Sequence, residues 1–321
     1  MPLVFLSPFK KTYKSDICSL SALTGLVLLI ASILLPFFAA ISTEDFWLRY
    51  KEYTEQPLVD DYNNYMLYIS NYNTYKTYFY SSSKELNDKF KNICDAEFQN
   101  TNNCELLQNC FFSSSPTDLD EDDINDKLTL NYEISGENIL AERGMIDIKL
   151  MFFLKYGLTK KVKLLMTPMI YINLPLDLSN SKGKEIILNG DLELVQKSPI
   201  VSTAVTNRLY YYEHPFKVDP YEASYFDLLY HYNKYRNNNY TVKYNYEKIE
   251  KMGNENKINI KIEIIIPKMQ EILYIESVFE ALKYAWMQYF YIFLPIYIAL
   301  YILFKFIIQN NIFYSHSKSD L

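Results

Sequence analysis

ICSLSALTGLVLLIASILLPFFAAI, residues Ile17–Ile41, contains no charged side chain. A helix needs about 20 apolar residues to cross the hydrocarbon core of a bilayer, and this run exceeds that length. It reads as a membrane span. The chain beyond it stays on the far side until a second span returns it, and Tyr284–Phe304, YAWMQYFYIFLPIYIALYILF, is the other run of sufficient length. Two spans place both termini on one side. The expected organisation is a tail over residues 1–16, a span over 17–41, an ectodomain over 42–283, a span over 284–308 and a tail over 309–321.

Lys10, Lys11 and Lys14 immediately precede the first span and favour a cytoplasmic N-terminus, although Arg49 and Lys51 follow it closely. A cleaved signal peptide is the competing reading, since a basic start and the small residues around Ala39–Ser42 imitate one; the apolar run is too long for its core. The net charge of −6 and the acidic isoelectric point offer no basic stripe, which argues against nucleic acid as a partner. Abundant Tyr and Asn with few Gly fit codon drift better than a functional message.

Cys94, Cys104 and Cys110 lie in the ectodomain and Cys18 at the start of the first span. Three cysteines allow one disulfide in three pairings, or none, and exclude a disulfide-built scaffold.

Phe46 and Trp47 fall where an aromatic belt meets the interface. Pro57 then starts extended chain, with strands expected over Val59–Ile69 and Lys76–Tyr80. Ser81–Asp126 is the least ordered stretch by composition and ends in DLDEDDIND, six acids in nine positions. An EF-hand from Asp118 would need Gly at its sixth position and Glu at its twelfth; Asp123 and Thr129 stand there. A solvated, self-repelling loop is the reading. Beyond it the period becomes two, in KLTLNYEI, MIDIKLMFFL and KVKLLMTPMIYINL, the last with Pro168 marking an edge or bulge. Asn189-Gly190 between apolar runs predicts a hairpin turn, with Asp191 after it. A helix is expected from Asp219, with Pro220 at its first position and Tyr221, Tyr225, Leu228, Tyr232 and Tyr235 at spacings of four and three, ending at Asn237–Asn239. TVKYNY and KINIKIEIII return to alternation. The fold class is therefore a membrane protein whose two transmembrane helices flank a mainly antiparallel, sandwich-like β ectodomain with one short helix. Ser277 and Glu280 form a capping box, so the second helix should run from Val278 to Gln309, about 48 Å at 1.5 Å per residue. Gln288 is expected to hydrogen-bond a neighbouring helix.

His214, His231 and His316 are far apart, with no Cys or carboxylate at ligand spacing, and no phosphate loop, nucleophile elbow or HExxH occurs. Nothing points to an enzyme, a cofactor, a metal or a small-molecule substrate. Asn239-Tyr240-Thr241 is the single N-glycosylation sequon, and its occupancy stays open.

Four blocks resemble the transmembrane protein 231 family of the ciliary transition zone: FWLRYKEYTEQPLV at 46–59, LNGDLELVQKSPI at 188–200, YFDLLYHYNKYRNNNYTV at 225–242 and FEALKYAWMQY at 279–289. They occur in the family's order within the same two-span layout. Residues 69–126 and 202–220 have no clear counterpart. The resemblance implies a component of the tectonic-like, or Meckel-syndrome, complex at the ciliary membrane, which contributes to cilium assembly and to the barrier governing membrane-protein access. Its implied partners are the lipid bilayer, tectonics, B9-domain proteins, meckelin and small transmembrane proteins, and it implies no enzymatic activity. The sequon at Asn239 falls where the family has one. Candidate contact residues are Phe46, Trp47, Glu55, Gln56, Pro57, Asn189, Gly190, Asp191, Trp286, Gln288 and Tyr289. The competing architecture is a two-span accessory subunit or channel protomer, whose ectodomains usually carry several disulfides; three ectodomain cysteines argue against it.

Overall fold

The computed structural model describes residues 11–14, 19–42, 50–97, 104–107, 109–135, 144–178, 183–201, 208–210, 227–253, 257–310, 312 and 316–319. In chain order these form β1 (Lys11–Lys14), α1 (Leu20–Ser42), β2 (Lys51–Glu55), β3 (Leu58–Asn71), β4 (Thr77–Ser81) and α2 (Lys84–Glu97). Then come β5 (Cys104–Leu106), β6 (Asn109–Thr117), β7 (Lys127–Ser135), β8 (Met145–Leu158), β9 (Leu164–Met166), β10 (Met169–Asp177), β11 (Lys184–Gln196), β12 (Ile200–Val201) and β13 (Arg208–Tyr210). The chain closes with α3 (Leu228–Arg236), β14 (Tyr240–Met252), β15 (Ile258–Ile265), β16 (Gln270–Ile275), α4 (Val278–Gln309) and β17 (His316–Ser319). Two compact units result, Tyr50–Ile275 and the pair Met1–Arg49 with Glu276–Leu321.

Alternation in the sequence drives the β-rich unit. In β8 the even positions Ile146, Ile148, Leu150, Phe152, Leu154 and Tyr156 are buried in one core, where they join Leu128, Leu130, Tyr132 and Ile134 of β7 and Ile258, Ile260, Ile262 and Ile264 of β15. The odd positions Met151 and Phe153 enter a second core, with Leu86 and Phe90 of α2 and Leu228 and Tyr235 of α3. Because successive side chains of a strand point to opposite faces, one strand serves both cores. The layers are therefore a five-stranded sheet (β14-β11-β15-β7-β6), a seven-stranded sheet holding β8, and helices on the latter's outer side. A three-stranded sheet, β12-β16-β2, completes the unit. Pairing is mainly antiparallel, with β11–β15, β4–β5, β9–β13 and β12–β16 parallel.

Several expectations change here. Asn189-Gly190 makes no hairpin: β11 runs unbroken through both residues, with Asn189 opposite Glu247 and Gly190 opposite Tyr246 on β14. The glycine answers a close approach instead. A Cβ at Gly190 would stand 2.0 Å from the Asn245 carbonyl oxygen and 2.6 Å from the Tyr246 Cα, so only glycine fits that crossing. The strand expected over KVKLLMTPMIYINL is divided at Thr167-Pro168 into β9 and β10, both paired with β8. Residues 81–126 are more ordered than their composition suggests: α2 buries Leu86 and Phe90 one turn apart, and β6 pairs with β7 along its whole length. The described helix α3 begins at Leu228 with Asp227 as its cap, whose carboxylate accepts from the Leu229 and Tyr230 N–H groups at 3.0 and 3.2 Å. The expected start at Asp219-Pro220 lies outside the described residues. Cys94 and Cys104 form the disulfide, joining α2 to β5, and Cys110 remains a half-buried thiol.

The second unit contains two long helices, both apolar enough to cross a membrane. The Ser19 hydroxyl accepts from the Ala22 N–H at the start of α1, and the Ser277 hydroxyl accepts from the Glu280 N–H at the start of α4. The span of α4 matches the expected Val278–Gln309. Beyond the helices, β1 and β17 pair antiparallel, so the two tails meet at one end of the helix pair.

Candidate interaction sites

The Glu55-Gln56-Pro57 step lies inside the β-rich unit rather than on its surface. Glu55 is 2% exposed. One carboxylate oxygen accepts from the Thr159 and Lys160 backbone N–H groups at 2.8 and 2.9 Å and from the Thr159 hydroxyl at 3.3 Å. The other accepts from the Tyr53 hydroxyl at 2.9 Å. Burial first, and the Glu55 carboxylate second, push the Tyr53 hydroxyl well above its usual pKa and keep it a donor. Gln56 is also buried and donates from Nε2 to Asp126 at 3.0 Å. Pro57, buried as well, follows β2 and supplies no N–H that would need a partner. These three residues are thus a joint linking β2, the β8–β9 turn and the acidic loop; as surface contacts they are corrected.

The acidic loop is folded, not self-repelling. Asp118 accepts from the Glu121 and Asp123 N–H groups at 2.8 and 3.0 Å, and both donors adopt positive φ, 61° and 65°. Asp126 accepts from the Leu119 N–H at 2.9 Å. That bond, with Gln56 and Lys268, holds the Asp126 carboxyl below the usual carboxylate range. Among the described residues, the grouping close enough to ligate a metal is Asp118, Asp120 and Asp126. Lys268 already occupies that neighbourhood, paired with Asp120 and, at 3.6 Å, with Asp126. An ammonium ion inside a carboxylate cluster answers its charge, which the sequence reading missed because Lys268 is distant in the chain.

Asn189 and Asp191 are exposed on β11, where alternation places them on the face opposite Leu188 and Leu192. Asn239 is exposed just after α3, whereas Tyr240 and Thr241 of its sequon are buried. The side chain that would carry a glycan is therefore accessible at the head of β14. Phe46 and Trp47 lie outside the described residues.

In the helical unit, α1 and α4 meet through Ala40, fully buried, and Ala285, 4% exposed. Small side chains let helix backbones approach where no hydrophobic gain separates helix from lipid. The interhelical hydrogen bond comes from Tyr289, whose hydroxyl donates to the Ile33 carbonyl at 3.2 Å; among the described residues Gln288 makes none. Within this chain, then, it is Tyr289 and not Gln288 that bonds α1. Trp286, 55% exposed, packs edge-on against Phe290 at 5.9 Å on the outward face. Hydroxyls within α1 are satisfied locally: Thr24 donates to Ser21 O at 2.9 Å and Ser32 to Leu29 O at 2.7 Å. Along α4, Tyr289, Phe293, Tyr297 and Tyr301 stack in series at 5.7, 5.5 and 6.4 Å. That ladder was visible in the sequence as aromatic residues at every fourth position.

Two apolar helices that bracket a mainly antiparallel β-rich unit define a two-span membrane protein with one large domain between its spans. A family model described as Transmembrane protein 231 matches residues 1–317, and the chain belongs to that family. Transmembrane protein 231 of Xenopus tropicalis is 26% identical over 302 residues, covering 89% of this chain and 86% of that protein. The Homo sapiens protein of the same name is 24% identical over 288 residues, covering 89% and 85%. Among solved structures, a proton-activated chloride channel aligns over 90% of this chain and 98% of its own at 6% identity with a TM-score of 0.25, a likeness that carries no argument.

Proposed function

We propose that this protein is a non-enzymatic membrane component of the ciliary transition-zone complex, the tectonic-like or Meckel-syndrome assembly. In that assembly it would contribute to cilium formation and to the diffusion barrier that sets ciliary membrane composition. Family membership over residues 1–317 carries the reading, through the family resemblance of the four sequence blocks. Both termini face the cytoplasm and the β-rich unit faces the lumen or exterior, where Asn239 bears a glycan. The outward faces of both helices, where Phe38 and Tyr291 are 63% and 86% exposed, meet lipid and neighbouring spans. Tectonics, B9-domain proteins, meckelin and small transmembrane proteins are the partners.

A tagged copy at native expression, imaged in its own ciliated cell against basal-body and axoneme markers, tests this. A ring confined between the markers, with tectonic-type proteins in a gentle detergent extract, is the expected result. Signal spread over the plasma membrane and an extract free of those proteins would overturn it.

A further inference from the structure

One end of the five-stranded sheet lacks the guards that the other sheet ends carry. Of the strands that end the three sheets, β5, β12 and β13 are only three, two and three residues long. β2 (KEYTE) and the far half of β14 (EKIEKM) carry charges of both signs. Brevity and charge both discourage an incoming strand. β6, NCFFSSSPT over Asn109–Thr117, has nine residues and no charge. Among the described residues its sheet neighbour is β7 alone. Phe111 on it is 67% exposed, and Ser114, Ser115, Pro116 and Thr117 are exposed as well.

The register fixes which backbone groups of β6 point off the sheet. Along an antiparallel strand, residues whose N–H and C=O bond one neighbour alternate with residues that point to the other side. Lys127 of β7 stands opposite Ile265 of β15, and the Ile266 N–H donates to the Asp126 carbonyl at 2.9 Å. That bond turns the even residues of β7 toward β15 and the odd ones toward β6. The odd residues of β7 face the odd residues of β6, from Lys127 opposite Thr117 to Ser135 opposite Asn109. Thr117 agrees, since its carbonyl accepts the Asp126 N–H at 3.0 Å. The N–H groups of Cys110, Phe112 and Ser114, and the carbonyls of these residues and of Pro116, therefore point outward. Pro116 stands where its missing N–H costs the β6–β7 ladder nothing.

A row of outward N–H and C=O groups accepts an extended strand, and the order of residues along β6 selects which one. A copy of β6 laid antiparallel and centred on Ser113 sets Phe112 opposite Ser114 and Cys110 opposite Pro116. Each of the three outward N–H groups then meets a carbonyl. Pro116, which has no N–H to give, meets Cys110, whose own N–H makes the bond of that pair. The strand overlaps its copy along its whole length, and no like charges meet because it has none. A two-fold axis makes every such bond twice.

We propose that β6 is a homodimer interface, at which two copies of this chain join their five-stranded sheets edge to edge through antiparallel β6 strands centred on Ser113. The inference stands on the β-rich unit and is independent of any ciliary role.

The test uses the full chain in detergent micelles. Ser113→Cys, in a Cys110→Ser background, should give a reducible dimer on mild oxidation, because directly opposite residues have Cβ atoms about 4.5–5.5 Å apart. Ser115→Cys in the same background should not, since its copy lies about 13 Å along the paired strand. Ser113→Asp should raise the dimer dissociation constant roughly tenfold or more by setting two carboxylates face to face. On the unaltered chain, hydrogen exchange within 109–117 should slow as the protein is concentrated, when the outward amides of Cys110, Phe112 and Ser114 become bonded. A chain that stays monomeric at micromolar concentration would overturn the proposal. So would a dimer in which 109–117 exchanges as in the monomer, or cross-linking of Ser115→Cys equal to that of Ser113→Cys. The exchange measurement decides the matter even if a variant fails to fold.

Discussion

Replacing Glu55 by Ala should destabilise the β-rich unit more than most single changes. Its carboxylate is the acceptor for two backbone N–H groups and the Tyr53 hydroxyl in a site where Glu55 is 2% exposed. A buried donor stripped of its acceptor costs about 1–3 kcal/mol, so loss of three donors' partners amounts to about 3–5 kcal/mol once some water enters the vacated space. For a domain of this size that lowers Tm by roughly 10 °C. Glu55→Gln retains one carbonyl oxygen, which the Thr159 and Lys160 N–H groups can still share, and should lose about 1 kcal/mol. The assay is thermal unfolding of the full chain in detergent, followed by near-ultraviolet circular dichroism of the tyrosines. A Tm for Glu55→Ala within about 2 °C of the parent would refute the account, since under 1 kcal/mol would then separate them. If that stable variant also failed to co-purify with transition-zone proteins, Glu55 would be a surface contact after all.

Gly190→Val should destabilise by about 2 kcal/mol or more, because the new side chain meets the β14 backbone and not a movable side chain; Asn189→Ala should be near neutral by the same unfolding assay, whereas a hairpin turn would make both costly. Burial pushes the Cys110 thiol up to about 11 from 9.0. Its alkylation by iodoacetamide at pH 8 should therefore run roughly 100-fold slower in the folded chain than after denaturation, as read from the Cys110 peptide. Asp126, Glu250 and Glu263 all have carboxyls lowered by their partners. A lowered carboxyl contributes stability above its unfolded pKa that vanishes as pH falls through the folded one, so Tm should hold near neutrality and decline below about pH 4. Asp126→Asn should make that decline shallower, and an unchanged slope would count against the loop's role. Endoglycosidase treatment should shift the parent chain on a gel and leave Asn239→Gln unmoved; no shift in either would remove the glycan and its evidence for orientation.

Which parts of this architecture were legible depended on how local their cause is. Alternation in β7, β8 and β15, and the capping signal at Ser277, are properties of adjacent residues, and they appear in the structure where the sequence puts them. Gly190 is the instructive failure. Next to Asn189 it has the composition of a turn, but its reason is a backbone from β14, more than fifty residues away, which no local pattern records. The same holds for the acidic loop, whose charge is answered by Lys268, and for Glu55, whose backbone donors sit about a hundred residues on. Tyr289 rather than Gln288 joins the helices because position on the α1-facing side, and not polarity alone, decides which side chain reaches Ile33. The helix α2 was legible in principle, through Leu86, Phe90 and Cys94 at intervals of four, but a polar composition around them concealed it.

The first and last strands of the β-rich unit, β2 and β16, are antiparallel neighbours, with Glu55 opposite Gln270 and Lys51 opposite Tyr274. In chain order β2 follows α1 and β16 precedes α4, so a load applied to the unit through its two chain ends would pull on the Lys51 and Tyr274 rung first. Such a load peels a ladder rung by rung instead of shearing all rungs at once. The unit is thereby fastened like a zip that opens from its two chain ends, and the rungs nearest Lys51 would part before those nearest Glu55.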